Sequence, residues 1–173
     1  MKHLLKLSAI LVAFLLTAPA FAQTEEDSQL AAAKRILCHS AMTGNETYLL
    51  SFLASDKSPA LPNLEFACDD EGHTPMHYAV SGNHLPIIKG LLVLGAKIDS
   101  LAVTLAVTSD FVEIAELFVS MDVDLCIPFE NSKLGKPASS YAQSDTMKAL
   151  LEKAEKDGAV AMFNEELKVC KVK

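Results

Sequence analysis

Much of the apparatus of familiar enzyme chemistry is missing from this 173-residue chain. It has no Gly-x-Ser-x-Gly elbow, so serine-hydrolase nucleophilic catalysis lacks its usual platform. No glycine-rich phosphate loop and no Cys-x-x-Cys pair is present, which removes the common motifs for nucleotide binding and thiol redox work. Positive charge is also scarce: 15 Lys and Arg stand against 22 Asp and Glu, a formal net charge of −7. That imbalance argues against nucleic acid or an anionic membrane as the main partner and favours a basic protein surface. Long apolar runs are absent too. The longest, Leu7 to Leu16, is about half of the ~20 residues that a membrane span requires.

That short run has a different meaning at its position. Lys2 and Lys6 precede it and Ala20-Phe21-Ala22 follows it, the basic start, apolar centre and small-x-small cleavage pattern of a secretory signal peptide. Residues 1–22 are therefore expected to be removed. No Cys follows the expected cut to carry a lipid anchor; the next stretch, Gln23 to Gln29, is polar and acidic. The signal has a bacterial style, so the mature protein is expected in the periplasm without membrane insertion. About 150 residues remain, one ordinary domain, and losing two lysines deepens the formal charge to −9.

What is present is a repeat. Gly72-His73-Thr74-Pro75-Met76-His77-Tyr78-Ala79 is followed by Gly82, Leu91-Leu92 and Gly95-Ala96, with Asp69 three residues ahead. Thr74 is suited to cap a helix, and Pro75 to stand at its first position, where a missing N–H costs nothing. Ala79 is small enough for close helix approach. Gly82 is expected to close the first helix in a left-handed conformation, Pro86 to sit in the opening turn of the next, and Gly95 to close that one. The skeleton recurs with decay at Ala41, Ala79, Ala106 and Ala142, in steps of 38, 27 and 36 residues. Each is followed by an i, i+1, i+4 apolar stripe: Leu49, Leu50, Leu53; Ile87, Ile88, Leu91; Ile114, Ala115, Phe118; Leu150, Leu151, Ala154.

The Thr-Pro-apolar-His-x-Ala run and the ~33-residue period resemble the ankyrin-repeat family. The resemblance is specific over Asp69 to Asp99 and looser from Leu30 to Glu155. It implies an all-α solenoid of about four degenerate repeats, near 30–64, 65–98, 99–125 and 126–156, within one domain spanning 23–173. A further amphipathic helix is expected near 158–171. The 27-residue step implies a tight link around Asp99 to Leu101, and Lys57 to Ala67, with Pro59 and Pro62, an enlarged loop. The fourth repeat, Gly135 to Ala142, keeps Gly, Pro, Tyr and Ala but lacks the Thr and His, as terminal repeats often do.

Such a resemblance also implies a binding protein with no catalytic centre and no cofactor. Loop tips on a rigid scaffold often carry recognition, so Asp69, Asp70 and Glu71 are the candidate contacts for a basic partner. Asp110, Glu113, Glu116, Asp122 and Asp124 read as a solvated face. An inhibitor or immunity-type protein and an accessory factor for stress defence are the two concrete forms considered. The competing class is a metal- or thiol-dependent enzyme or redox factor. His73 and His77 have the spacing of a zinc pair, but no third or fourth ligand is evident, and His77 is the structural histidine of the repeat. Asn45-Glu46-Thr47 fits a glycosylation sequon and also a helix cap, and the cap is preferred.

Four cysteines, Cys38, Cys68, Cys126 and Cys170, are an even count in an exported chain, and allow three connectivities. Cys38–Cys68 with Cys126–Cys170 is preferred, because each pair joins neighbours along a linear array. Chain entropy would give each bridge about 3.5–4 kcal/mol. Intact-mass spectrometry of natively exported protein with and without reductant should reveal two bridges; four free thiols would remove them.

Overall fold

A computed structural model describes residues 27–53, 64–128, 134–159, 161–164 and 169–171. The signal segment, most of the enlarged loop and its two prolines lie outside them. The described chain is a row of short antiparallel helix pairs. Helix α1 runs through residues 27–43 and pairs with α2 (Glu46–Leu53); α3 (Pro75–Ser81) pairs with α4 (Leu85–Val93), and α5 (Ser100–Thr108) with α6 (Val112–Ser120). In the fourth pair the first helix has shrunk to one 3-10 turn, Ala138–Tyr141, leading to α7 (Asp145–Ala154). The all-α repeat architecture expected from the sequence is the architecture found.

Helix starts follow from short polar side chains. Asn45 accepts from the Tyr48 N–H at 3.0 Å, Asp99 from Ala102 at 2.9 Å and Ser144 from Met147 at 3.1 Å. Thr74 accepts from His77, and His77 answers through its ring to the Thr74 N–H, a reciprocal capping box. The Asn45 segment is thus a helix start, as preferred. Helices α4 and α6 have no side-chain cap; they begin directly after a left-handed turn.

That turn is where the sequence expectation needs correction. Gly82 is right-handed (φ −85), and the left-handed residue is Asn83 (φ 56). The structural reason for glycine at 82 is space, because a Cβ there would run into the His84 ring. The same ring lies 2.6 Å from where a Cβ on Gly44 would be, so one imidazole is wedged between the turns of the first two pairs. Left-handed residues recur at Gly44, Asn83, Gly95, Asp110 and Asp122. Four of these turns carry the same double hydrogen bond, for example His84 N–H to the Ala79 carbonyl at 2.8 Å and Asn83 N–H to Val80 at 2.9 Å. Asp110 and Asp122 are therefore helix terminators, which divides the acidic row that the sequence suggested.

Counting back from the left-handed residue resets the register of the first pair by one. Ser40, Ala79 and Ala106 are equivalent, all 0% exposed. The small position of the first repeat is thus Ser40, with Ala41 beside it in the core. The shift also explains why Leu50, expected in the buried stripe, is 53% exposed while Leu49 is buried. The second and third stripes agree with expectation, with Ile87, Ile88, Leu91, Ile114, Ala115 and Phe118 sealed; in the fourth, Leu151 and Ala154 are buried but Leu150 only partly so, and one apolar cluster runs unbroken from Leu37 to Cys170.

The helix expected near 158–171 is not formed. After a wide turn, Glu155–Ala159, Gly158 adopts φ 105 and ends the helical path. Strands β1 (Cys126–Pro128), β2 (Leu134–Pro137), β3 (Ala161–Asn164) and β4 (Val169–Lys171) make an antiparallel sheet in the order β1-β2-β4-β3. Apolar spacing in this stretch fits a helix, but β2 offers an unpaired edge, and pairing with β4 satisfies it. Cys126, Ile127 and Cys170 bring the sheet into the core. It seals the far end of the stack.

Ser40 supplies the test of this register. Its hydroxyl is buried with no hydrogen-bond partner among the described residues, a cost of about 1–3 kcal/mol. Ser40→Ala should raise the urea unfolding midpoint at unchanged m-value, reflecting a gain in unfolding free energy of about 1 kcal/mol or more; a loss of stability would contradict the assignment.

Candidate functional site

The hairpin before α3 carries a dense polar network, and Asp69 is its centre. Its Oδ1 accepts from the backbone N–H groups of Glu71 (3.0 Å) and His73 (2.9 Å). Its Oδ2 accepts from His73 Nδ1 at 2.8 Å and from the Tyr78 hydroxyl. Gly72, at φ 85, gives the left-handed reversal, and Cys68 N–H closes the hairpin on the His73 carbonyl at 2.7 Å. The Tyr78 hydroxyl bond, with those from His73, holds the Asp69 carboxyl well below the usual carboxylate range; the same bond pushes the Tyr78 phenol up.

The three acidic candidates therefore separate. Asp69 faces inward and organises the turn. Asp70 and Glu71 are exposed, with the Glu71 side chain at 80%. Immediately behind them the cap and helix α3 are packed into the core, so the two outward carboxylates stand on a fixed base.

A second polar link joins neighbouring repeats. His77 is 5% exposed, and its Nδ1 accepts from the Thr74 N–H at 3.1 Å. The proton is thereby assigned to Nε2, which donates to both oxygens of Asp99, at 2.9 and 3.0 Å. Asp99 in turn caps α5. Burial pushes the Asp99 carboxyl up, but the bonds from His77 and from the Ala102 and Leu101 N–H groups outweigh it and leave the carboxyl below its ordinary value. His77 thus has both nitrogens engaged, and the zinc pair with His73 is not assembled; the rings meet edge-on at 6.1 Å.

Asp69, Glu71 and His73 do place three potential metal ligands within 4.8 Å of one another. A cation there would have to displace the Tyr78 and His73 donors from an Asp69 carboxylate whose two oxygens already take four bonds. The cysteines stand as two bridges, Cys38–Cys68 with an S–S distance of 2.07 Å and Cys126–Cys170, with no free thiol among the described residues. Ser139 gives its N–H (2.9 Å) and hydroxyl (2.6 Å) to Glu155. Sequence reading missed this clamp, because nothing in the spacing of 139 and 155 marks a contact. Burial raises the Glu155 carboxyl, incompletely offset by the two Ser139 bonds.

The class defined by this arrangement is a linear stack of helix pairs whose polar groups serve turns, caps and inter-repeat links. The repeat residues Gly72, Thr74, Pro75, His77, Ala79, Gly95, Leu91 and Leu92 take the places just described or line the core and its margin. The family description "Ankyrin repeats (3 copies)" matches residues 8–102, and the chain belongs to the ankyrin-repeat family. The match begins inside the segment read as an export signal. No curated protein matches the chain. Ankyrin repeats generally mediate protein–protein interaction, and the family is generally non-catalytic.

The carboxyl shifts fix the sign of the pH response. For Asp69 and Asp99, lowered from an ordinary 3.8, stabilisation is fully present above that value and is lost as pH falls through the depressed folded values. Glu155, raised from 4.5, acts oppositely: protonation on acidification through the window above 4.5 favours the folded state. In thermal melts, Asp69→Asn should flatten the loss of stability below about pH 4, and Glu155→Gln should remove a small gain on acidification from neutrality toward 4.5. Parallel acid limbs for Asp69→Asn and the parent would show that the Asp69 network does not form.

Proposed function

We propose that this chain is an exported protein-binding scaffold, acting in an oxidising compartment such as the bacterial periplasm, and that it holds a partner's basic surface through Asp70 and Glu71. The observation that carries this reading is the division of labour at the hairpin. Asp69 is committed to internal bonds, while Asp70 and Glu71 are exposed at the turn, Glu71 keeping 80% of its side chain in solvent although one of its oxygens lies 3.6 Å from His73 Nδ1. Charges fixed in this way need little ordering on association, so more of their electrostatic attraction remains for binding. The acidic formal charge, −7 for the full chain, adds long-range attraction for a basic partner.

The export signal read from residues 1–22 and the bridged cysteines support the compartment, since disulfides persist where thiols are oxidised. An inhibitor or immunity-type protein, masking the basic surface of an otherwise harmful enzyme, is the form that the outward acidic tip fits most directly. An accessory factor that supports a stress-defence protein would use the same surface.

The test is charge reversal at the tip. Immobilised mature protein should retain a basic periplasmic partner at low salt and release it as salt rises. Asp70→Lys with Glu71→Lys should lower that partner's affinity by about tenfold or more, the equivalent of ~1.4 kcal/mol, with an unchanged melting curve. Retention of the same partner at full strength by the reversed protein would remove the tip from the binding surface.

A further inference from the structure

The repeat register leaves the first helix pair with a face that no described residue covers. Tyr48, Ile87 and Ile114 hold one equivalent place, four residues past the left-handed residues Gly44, Asn83 and Asp110. Ile87 and Ile114 are 1% and 0% exposed, whereas Tyr48 is 42% exposed. Ile36 and Ala102 are equivalent in the same way, eight residues before the turn; Ala102 is sealed and Ile36 is half-buried. Between later pairs, packing of α2 on α4 and of α3 on α5 closes such positions. At the near end of the stack they border an open concavity of about 660 Å³.

Its walls combine two properties. Ile36, Met42, Tyr48 and the Cys38–Cys68 bridge supply apolar surface, with Met42 also 42% exposed. Among the described residues that line it, the titratable side chains other than the Tyr48 phenol are Lys34, Arg35 and His39, all of them basic, in a chain whose net charge is −7. Local charge thus runs against the charge of the whole molecule. A second copy of this chain would bring Lys34 and Arg35 toward their own images. A basic segment would meet them too.

We infer that this end face seats an acidic amphipathic segment of a partner protein, its apolar side on Tyr48, Met42 and Ile36 and its carboxylates toward Arg35 and Lys34. Tyr48 is the anchor, a large rigid ring desolvated from one side, and such residues dominate small interfaces. The mode is that of an amphipathic helix laid in a groove, with charge selecting the partner and apolar area holding it. The inference rests on the protein-binding reading but uses a different surface from the Asp70–Glu71 tip. One partner engaging both would be fixed in orientation, basic residues at the tip and acidic ones at the end face.

The probes are a Leu/Glu amphipathic peptide of about four turns and its Leu/Lys counterpart, titrated into disulfide-intact mature protein by calorimetry and amide NMR. The Leu/Glu peptide should bind saturably and shift the amides of Arg35, His39 and Met42. Arg35→Glu and Tyr48→Ser should each weaken it by about tenfold or more, while Asp70→Lys with Glu71→Lys leaves it within about twofold. No saturable binding at millimolar peptide, equal weakening by the tip variant, or self-association broken by Arg35→Glu would overturn the inference. Because the tip variant reports on the basic partner and the Arg35 variant on the acidic peptide, either surface can fail alone.

Discussion

A helix of seven to ten residues, the length of α2 to α7, is too short to persist alone in water. Each helix pair here acquires stability only by burying its apolar face against the next. That dependence on the neighbour governs the whole structure. It explains why one apolar cluster extends from Leu37 to Cys170, and why the polar devices are arranged between repeats as well as within them. His77 caps its own helix with one nitrogen and reaches the cap of α5 with the other. His84 is wedged between two successive turns. Ser144, which caps α7, also gives its hydroxyl to Asp110 at 2.7 Å.

Among the described residues the two ends of the row have no neighbour on one side, and they are treated differently. At the far end the fourth pair degenerates into a 3-10 turn, and a small sheet closes over the core. At the near end an aromatic residue stands where later repeats have a sealed isoleucine. Between them, carboxylates near one another in sequence do unlike work. Asp69 and Asp99 are structural, Asp110 and Asp122 terminate helices, and Asp70 and Glu71 are left for the exterior.

Much of the fold was readable because the second repeat keeps its chemistry. Thr74, Pro75, His77, Ala79 and Gly95 do what their types suggest, and Asn45 caps rather than stands idle. The failures have physical causes. Glycine at 82 invites a left-handed assignment, yet Asn83 also tolerates that region and leaves Gly82 to make room for a ring. Without the turn geometry, Ala41 is the better match to Ala79 than Ser40 is, and the first stripe slips by one to Leu50. The last segment departs from its expected helix because apolar periodicity reports which residues are buried; which backbone groups need partners is decided by the distant strand β2. At the tip, sequence marked three acidic residues and could not tell that one of them turns inward.

The two sulfur bridges have a topological effect apart from any energy. Cys38–Cys68 closes a loop with a sequence separation of 30 and Cys126–Cys170 one of 44. Drawn from either side through a channel one strand wide, the chain halts at Cys38 or at Cys170, where two strands must pass together. Degradation or transport machinery that threads its substrates would have to break sulfur–sulfur bonds first, however thoroughly the helices had melted.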